Sequence, residues 1–66
     1  MKKAEKQMKL KLLRTEREVT MQQMADMLGI TAGTYSNKEA GKFDFTFAEA
    51  KKISKFFGKD FNDIFL

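Results

Sequence analysis

Sixty-six residues are enough for one hydrophobic core and too few for a second domain or a deep substrate cleft, so 1–66 is read as a single folding unit. The absence of cysteine and histidine excludes disulfide staples, thiolate metal sites and most nucleophilic triads, and neither a metal nor a cofactor is expected. The net charge of +4 points only weakly to a polyanionic partner, and no apolar run approaches the roughly 20 residues that cross a bilayer or resembles a signal peptide, so a cytoplasmic location is expected.

The first segment concentrates the positive charge: Lys2, Lys3, Lys6, Lys9, Lys11, Arg14 and Arg17 stand against Glu5 and Glu16. With Leu10 and Leu13 at helical spacing, a first helix is predicted over 3–17. Thr20 with Gln23 has the pattern of a capping box, in which each residue's side chain bonds the other's backbone N–H. Met24, Ala25 and Leu28 follow at helical spacing and Gly29 is the stop, which predicts a helix over 21–28. Thr31 reads as a plain N-cap and Gly41 closes the segment after Ala40, giving a helix over 32–40. A second capping box, Thr46 with Glu49, opens a helix over 47–57 that carries Phe47, Ala50, Ile53 and Phe57 and ends before Gly58. Asp60 reads as the N-cap of a last helix over 61–65, with Phe61, Ile64 and Phe65. The apolar stripes are the expected core, and the fold class is all-α with five helices. No proline or low-complexity linker interrupts this order.

The most specific stretch is 20–41, TMQQMADMLGITAGTYSNKEAG. It holds two short helices and a tight corner. Helices that cross steeply need a small residue where their backbones approach, which Ala25 supplies, and a corner residue tolerant of positive φ, which Gly29 supplies. Ile30 is expected to plug the crossing. Between Glu18 and Asn37 there is no basic residue.

With these features in place, the chain resembles the Cro and lambda-repressor family of helix-turn-helix proteins, the XRE-type group. The residues that carry the likeness are Leu10, Leu13 and Arg14; V-T-x-Q-Q-M-A-x-x-L-G-I from Val19 to Ile30; T-Y-S-N-K-E-A-G-K from Thr34; F-A-E-A-K-K-I-x-K-F-F-G from Phe47; and D-F-N-D-I-F from Asp60. The resemblance implies a compact five-helix, lambda-repressor-like DNA-binding domain whose helix-turn-helix is formed by helices 2 and 3. It implies sequence-specific binding of double-stranded DNA by a repressor-like transcriptional regulator, bacterial or phage-encoded, with the 32–40 helix in the major groove. The family's base-reading positions fall on Ala32, Gly33 and Asn37, with Thr31 and Thr34 flanking them and Ser36 beside Asn37. Asn can bond adenine bidentately and Ala or Thr can touch a thymine methyl, so an A·T-leaning half-site is expected. Gly33 either admits close approach of the backbone to DNA or is merely tolerated near a helix start.

Phosphate contacts are expected at Met21 through its backbone, at Gln22, at Lys38 and at Lys42. Two departures from the family stand out: Met21 replaces the usual glutamine, which Gln22 either does or does not stand in for, and Lys38 replaces an inward apolar residue, its ammonium either reaching a phosphate over a core-covering stem or simply solvated. Arg14 and Glu39 align with a buried ion pair in some relatives and are read as structural. The lysines of the first eleven residues are either an arm along the DNA backbone or a solvated face. Phe43, Phe45, Phe56, Phe61, Phe65 and Leu66 exceed the needs of one small core, so some are expected to form the seam of a homodimer that reads two half-sites. The rival function is a protein-interaction module on the same scaffold, such as an antitoxin or a binder of another repressor. The acidic residues are spaced as caps and surface charges with no nucleophile and base among them, so no enzyme and no small-molecule ligand is expected.

Overall fold

A computed structural model describes residues 7–65. Among them run α1 (Met8–Glu16), α2 (Met21–Leu28), α3 (Ala32–Glu39), α4 (Phe47–Phe57) and α5 (Phe61–Ile64), with no strand. Three of the starts are made by threonine. Thr20 Oγ1 accepts from the Gln23 N–H at 3.1 Å while Gln23 Oε1 accepts from the Thr20 N–H at 2.8 Å. Thr46 and Glu49 exchange the same two bonds at 3.1 and 2.9 Å, and Thr31 Oγ1 accepts from the Thr34 N–H at 3.1 Å. Asp60 differs from expectation. It occupies the N-cap of α5 but its carboxylate makes no capping bond; its carbonyl instead accepts from the Asp63 N–H at 2.9 Å, closing a single turn.

Helices α1, α2 and α3 end by one design. At the end of α3, Gly41 takes φ +87°, and the N–H groups of Gly41 and Lys42 donate back to the carbonyls of Lys38 and Asn37 at 3.1 and 2.9 Å. Two carbonyls that α3 itself cannot satisfy are thereby bonded. The same pair of bonds closes α1, from Glu18 to Thr15 and from Val19 to Arg14, but here Glu18 holds the left-handed position at φ +57°. A side chain at that φ costs roughly 1–2 kcal/mol, and a carboxylate there also opposes the helix dipole. Glu18→Gly relieves both, less the extra chain entropy of glycine. We expect it to raise stability by up to about 1 kcal/mol, an upward shift of some 4–8 °C per kcal/mol in thermal unfolding of so small a domain.

The first helix starts later than its lysine run suggests. Gln7 lies outside it because the Gln7 N–H donates to the Glu39 carbonyl at 2.9 Å, while the Gln7 carbonyl accepts from Lys11 at 3.0 Å and starts the helical ladder. The part of that prediction over 3–6, with Lys2 and Lys3, lies outside the described residues. At the other boundaries Ala40 caps α3 and Phe65 caps α5.

Leu10, Leu13, Met24, Ala25, Leu28, Tyr35, Ala50, Ile53, Phe57, Ile64 and Phe65 form the core. Phe47 and Phe61, expected among them, are not part of it: Phe47 is 80% exposed and Phe61 50%. Each is the first residue of its helix and stands at the edge of the core, beside an open depression that it lines with Phe45 and Phe65. The Phe45 ring sits 5.8 Å from Tyr35 and 5.6 Å from Phe65, centroid to centroid, and Phe61 lays one face on Phe65 at 4.9 Å. Of the surplus aromatics, Phe43 and Phe56 are exposed, Phe45 is half-buried and Phe65 buried; Leu66 lies outside the described residues. Among the described helices, α2 and α3 make the most extensive pairing. Ala25 is fully buried, its carbonyl accepts from the Ile30 N–H at 3.0 Å across the corner, and Ile30 packs half-buried against the core.

Candidate nucleic-acid interface

Helix α3 is mostly polar, so burial of a hydrophobic face cannot by itself fix its angle. Its inner side is held by two residues, Tyr35 and Glu39. Glu39 Oε2 accepts from Arg14 Nε at 2.8 Å and Oε1 from the second guanidinium nitrogen at 3.1 Å, while the Tyr35 hydroxyl donates to Oε2 at 2.7 Å. The remaining terminal nitrogen of Arg14 donates to the Val19 carbonyl at 2.9 Å. All three side chains are buried, and among the described residues no buried side-chain nitrogen or oxygen lacks a partner. Helices α1 and α3 and the loop before α2 are thus tied at one point. The bond to Glu39 raises the Arg14 pKa against the opposing effect of burial.

Burial first, then the bond to the Glu39 carboxylate, pushes the Tyr35 hydroxyl far above its ordinary value. The folded pKa is the higher one, so the stability contributed here is whole below the unfolded value of about 10 and is lost as pH climbs toward the folded value. Tyr35 is the single tyrosine. Its near-ultraviolet tyrosinate signal is therefore expected to appear together with loss of helical circular dichroism in an alkaline titration, not before it, and Tyr35→Phe should weaken the alkaline transition.

The outer side of α3 carries Gly33, exposed, and Thr34, Ser36 and Asn37, half-exposed; Ala32, at its start, is half-buried and packs against the core instead of lying on this side. The Thr31 hydroxyl, besides capping, donates to the Thr34 hydroxyl at 2.8 Å, so both side chains are engaged along the N-terminal turn. Asn37 makes no side-chain bond within the described residues. This face carries no charge. It offers one planar amide, two hydroxyls and a bare stretch of backbone. A methyl group placed on Gly33 would meet nothing within 4 Å. Gly33→Ala should therefore stabilise the domain by up to about 1 kcal/mol through helix propensity alone. A rise in melting temperature together with weaker duplex binding would assign Gly33 to close approach of the backbone; unchanged binding would assign it to tolerance.

At the start of α2, Met21 and Gln22 occupy the first turn, whose backbone N–H groups have no acceptor within the helix. Met21 turns its side chain against the core, and the Gln22 amide donates to Asp26 at 2.8 Å across the exposed face. Lys42 is exposed just past the end of α3. Lys38 is a correction to the expected set. Its ammonium, with the side chain only 13% exposed, donates to Glu49 Oε1 at 2.6 Å, so it joins α3 to α4 instead of projecting toward a phosphate. Burial pushes the Glu49 carboxyl up, but the Lys38 ammonium and the Thr46 amide outweigh it and hold the carboxyl below the ordinary carboxylate value. Glu49 thus serves the α4 cap and the interhelix bridge with one side chain.

Sequence reasoning missed Tyr35. The signal was present in the i, i+4 spacing of Tyr35 and Glu39 on an otherwise polar helix. Among the described residues no group of three His, Cys, Asp or Glu is arranged to hold a metal ion, and no helix is long and apolar enough to cross a membrane.

Residues 10–64 match the helix-turn-helix family. The chain is also 40% identical, over 58 residues and 88% of either protein, to an uncharacterized helix-turn-helix-type transcriptional regulator of Methanocaldococcus jannaschii. The matched span covers α2 and α3 with every core residue around them except Phe65, from Leu10 to Ile64. The corner at Gly29, the buried Ala25 and the uncharged outer face of α3 are accordingly parts of a chain that belongs to the XRE-type helix-turn-helix family, a non-enzymatic family of DNA-binding proteins.

Proposed function

We propose that this protein is a sequence-specific double-stranded DNA-binding transcriptional regulator of repressor type, with α3 lying in the major groove. One observation carries the reading: α3 is pinned from behind by its two buried residues, Tyr35 and Glu39, while among the described residues its opposite side, Gly33, Asn37, Thr34 and Ser36, is exposed or half-exposed. A helix so held can enter a groove without rearranging the core. Gly33 and Asn37 face base edges, with Thr31, Thr34 and Ser36 beside them and Ala32 at the core-side edge of the first turn. The backbone of Met21, the Gln22 side chain once released from Asp26, and Lys42 meet phosphates. The protein acts as a homodimer in the cytoplasm of a bacterial or phage-infected cell, with Phe43 and Phe56 among the exposed aromatics available to its seam.

The test is selection of bound fragments from random duplexes, followed by measurement of affinity against salt. The expected result is a two-fold symmetric site with half-sites about one helical turn apart, roughly 34 Å. Failure to retain any duplex at low salt would end the proposal. A second reading, a protein-interaction module such as an antitoxin or a binder of another repressor, is favoured by the lack of any basic residue between Glu18 and Asn37. Capture of such a partner through α3, without duplex binding, would select it.

A further inference from the structure

Among the described residues the most exposed large apolar side chain is Phe47, on α4 and away from α3. Phe47, four-fifths exposed, and Phe61, half-exposed, wall an open groove completed by Lys51, Ser54 and Lys55. No acidic side chain lines it; Asp44 belongs to the adjoining depression, on the other side of the two rings, with Phe45 and Phe65. Lys51 and Lys55 are exposed and make no ion pair among the described residues.

The position of this groove separates it from the duplex. At roughly 100° per residue, positions 47, 51, 54 and 55 share one stripe of α4. Glu49, which meets Lys38 of α3, falls about half a turn away around the same axis. A ligand on the outer side of α3 and one in this groove can therefore be held at once. The lining also discriminates between occupants. It combines apolar rings, Phe47 and Phe61, with cations, Lys51 and Lys55, so it fits an occupant that carries an apolar side chain as well as negative charge, which a phosphate alone does not. A second copy on a two-fold axis would bring Lys51 and Lys55 toward their own equivalents, like charge against like.

We propose that the groove docks an acidic amphipathic helix from a partner protein. An apolar side chain of that helix enters between Phe47 and Phe61, and its carboxylates meet Lys51 and Lys55. The surface gives a DNA-bound regulator a means of recruiting, or being held by, a second protein without releasing its operator.

The experiment titrates the isotopically labelled protein with a synthetic helical peptide of about 15 residues. The peptide is built from leucine and glutamate at amphipathic spacing; a control has every glutamate replaced by lysine. Amide shifts should concentrate at Phe47, Lys51, Ser54, Lys55 and Phe61 and saturate with the glutamate peptide, while the lysine peptide binds at least about tenfold more weakly. Phe47→Ala should weaken binding at least about fivefold, the usual scale for losing an aromatic anchor. Because Phe47 is outside the core, its melting temperature and duplex affinity should stay those of the parent. Lys51→Glu with Lys55→Glu should abolish binding of the glutamate peptide. Equal affinity for the two peptides, shifts centred on α3, or no saturable shift in the groove would each overturn the proposal. So would a solution dimer that Phe47→Ala converts to monomer, because a second copy would then be the occupant.

Discussion

Arg14→Ala is expected to unfold the domain or bring it to the edge of unfolding, and not to abolish base recognition in a protein that stays folded. Removing the guanidinium leaves the Glu39 carboxylate, 3% exposed, with only the Tyr35 hydroxyl, and strips the Val19 carbonyl of the donor at 2.9 Å. Breaking a buried pair from one side costs about 3–5 kcal/mol, because a charge is left without water or partner. A 66-residue domain at ordinary stability per residue has about 3–10 kcal/mol in total, so the loss takes from about a third of it to all. Thermal unfolding followed by circular dichroism measures this directly. The converse variant separates the charge effect from packing: Arg14→Met, Glu39→Leu and Tyr35→Phe together replace the network with apolar groups of similar volume and should recover most of the stability. A parental melting temperature for Arg14→Ala, with duplex binding lost, would move Arg14 from the interior tie to the DNA.

The contrast between that interior and the rest of the chain explains which features were readable beforehand. Capping boxes are written within four residues, so Thr20 with Gln23 and Thr46 with Glu49 announce their helices without tertiary information. Gly29, Gly41 and Gly58 do the same for the ends. Periodicity misled at Phe47 and Phe61, because a helix's first residue continues the apolar stripe in sequence while standing at the rim of the core, where Phe45 and Phe65 pack on each other and these two rings stay exposed. The start of α1 was not readable at all: it depends on the Gln7 N–H reaching Glu39, thirty-two positions away by number, with no local cap to mark it. Lys38 was misread for a related reason. Its departure from an apolar family position suggested a free cation, whereas Glu49, already committed to a cap, has a second use as its partner. At the interface, local signals located the helix-turn-helix, but which side of α3 faces outward follows from Tyr35 and Glu39 acting across three segments of chain.

Asn37→Ala is expected to weaken binding to a selected duplex by about 1–3 kcal/mol, roughly 5- to 150-fold, while leaving affinity for random duplex nearly unchanged. On the outer side of α3 it is the one planar group presenting a donor and an acceptor together, the geometry that adenine N6 and N7 require. No arginine, lysine or carboxylate on that side competes for guanine or cytosine. The Asn37 side chain makes no bond within the described residues, so its removal should not move the melting temperature. Lys42→Ala provides the opposite signature. An exposed cation past the helix end has a phosphate as its natural partner, so its loss should weaken selected and random duplexes alike and flatten the slope of log affinity against log salt by about one unit. The two variants thus separate base reading from backbone attraction by readouts that do not overlap. If Asn37→Ala weakened both duplexes equally, or lowered the melting temperature in proportion, the outer side of α3 would not be the part of the molecule that reads sequence.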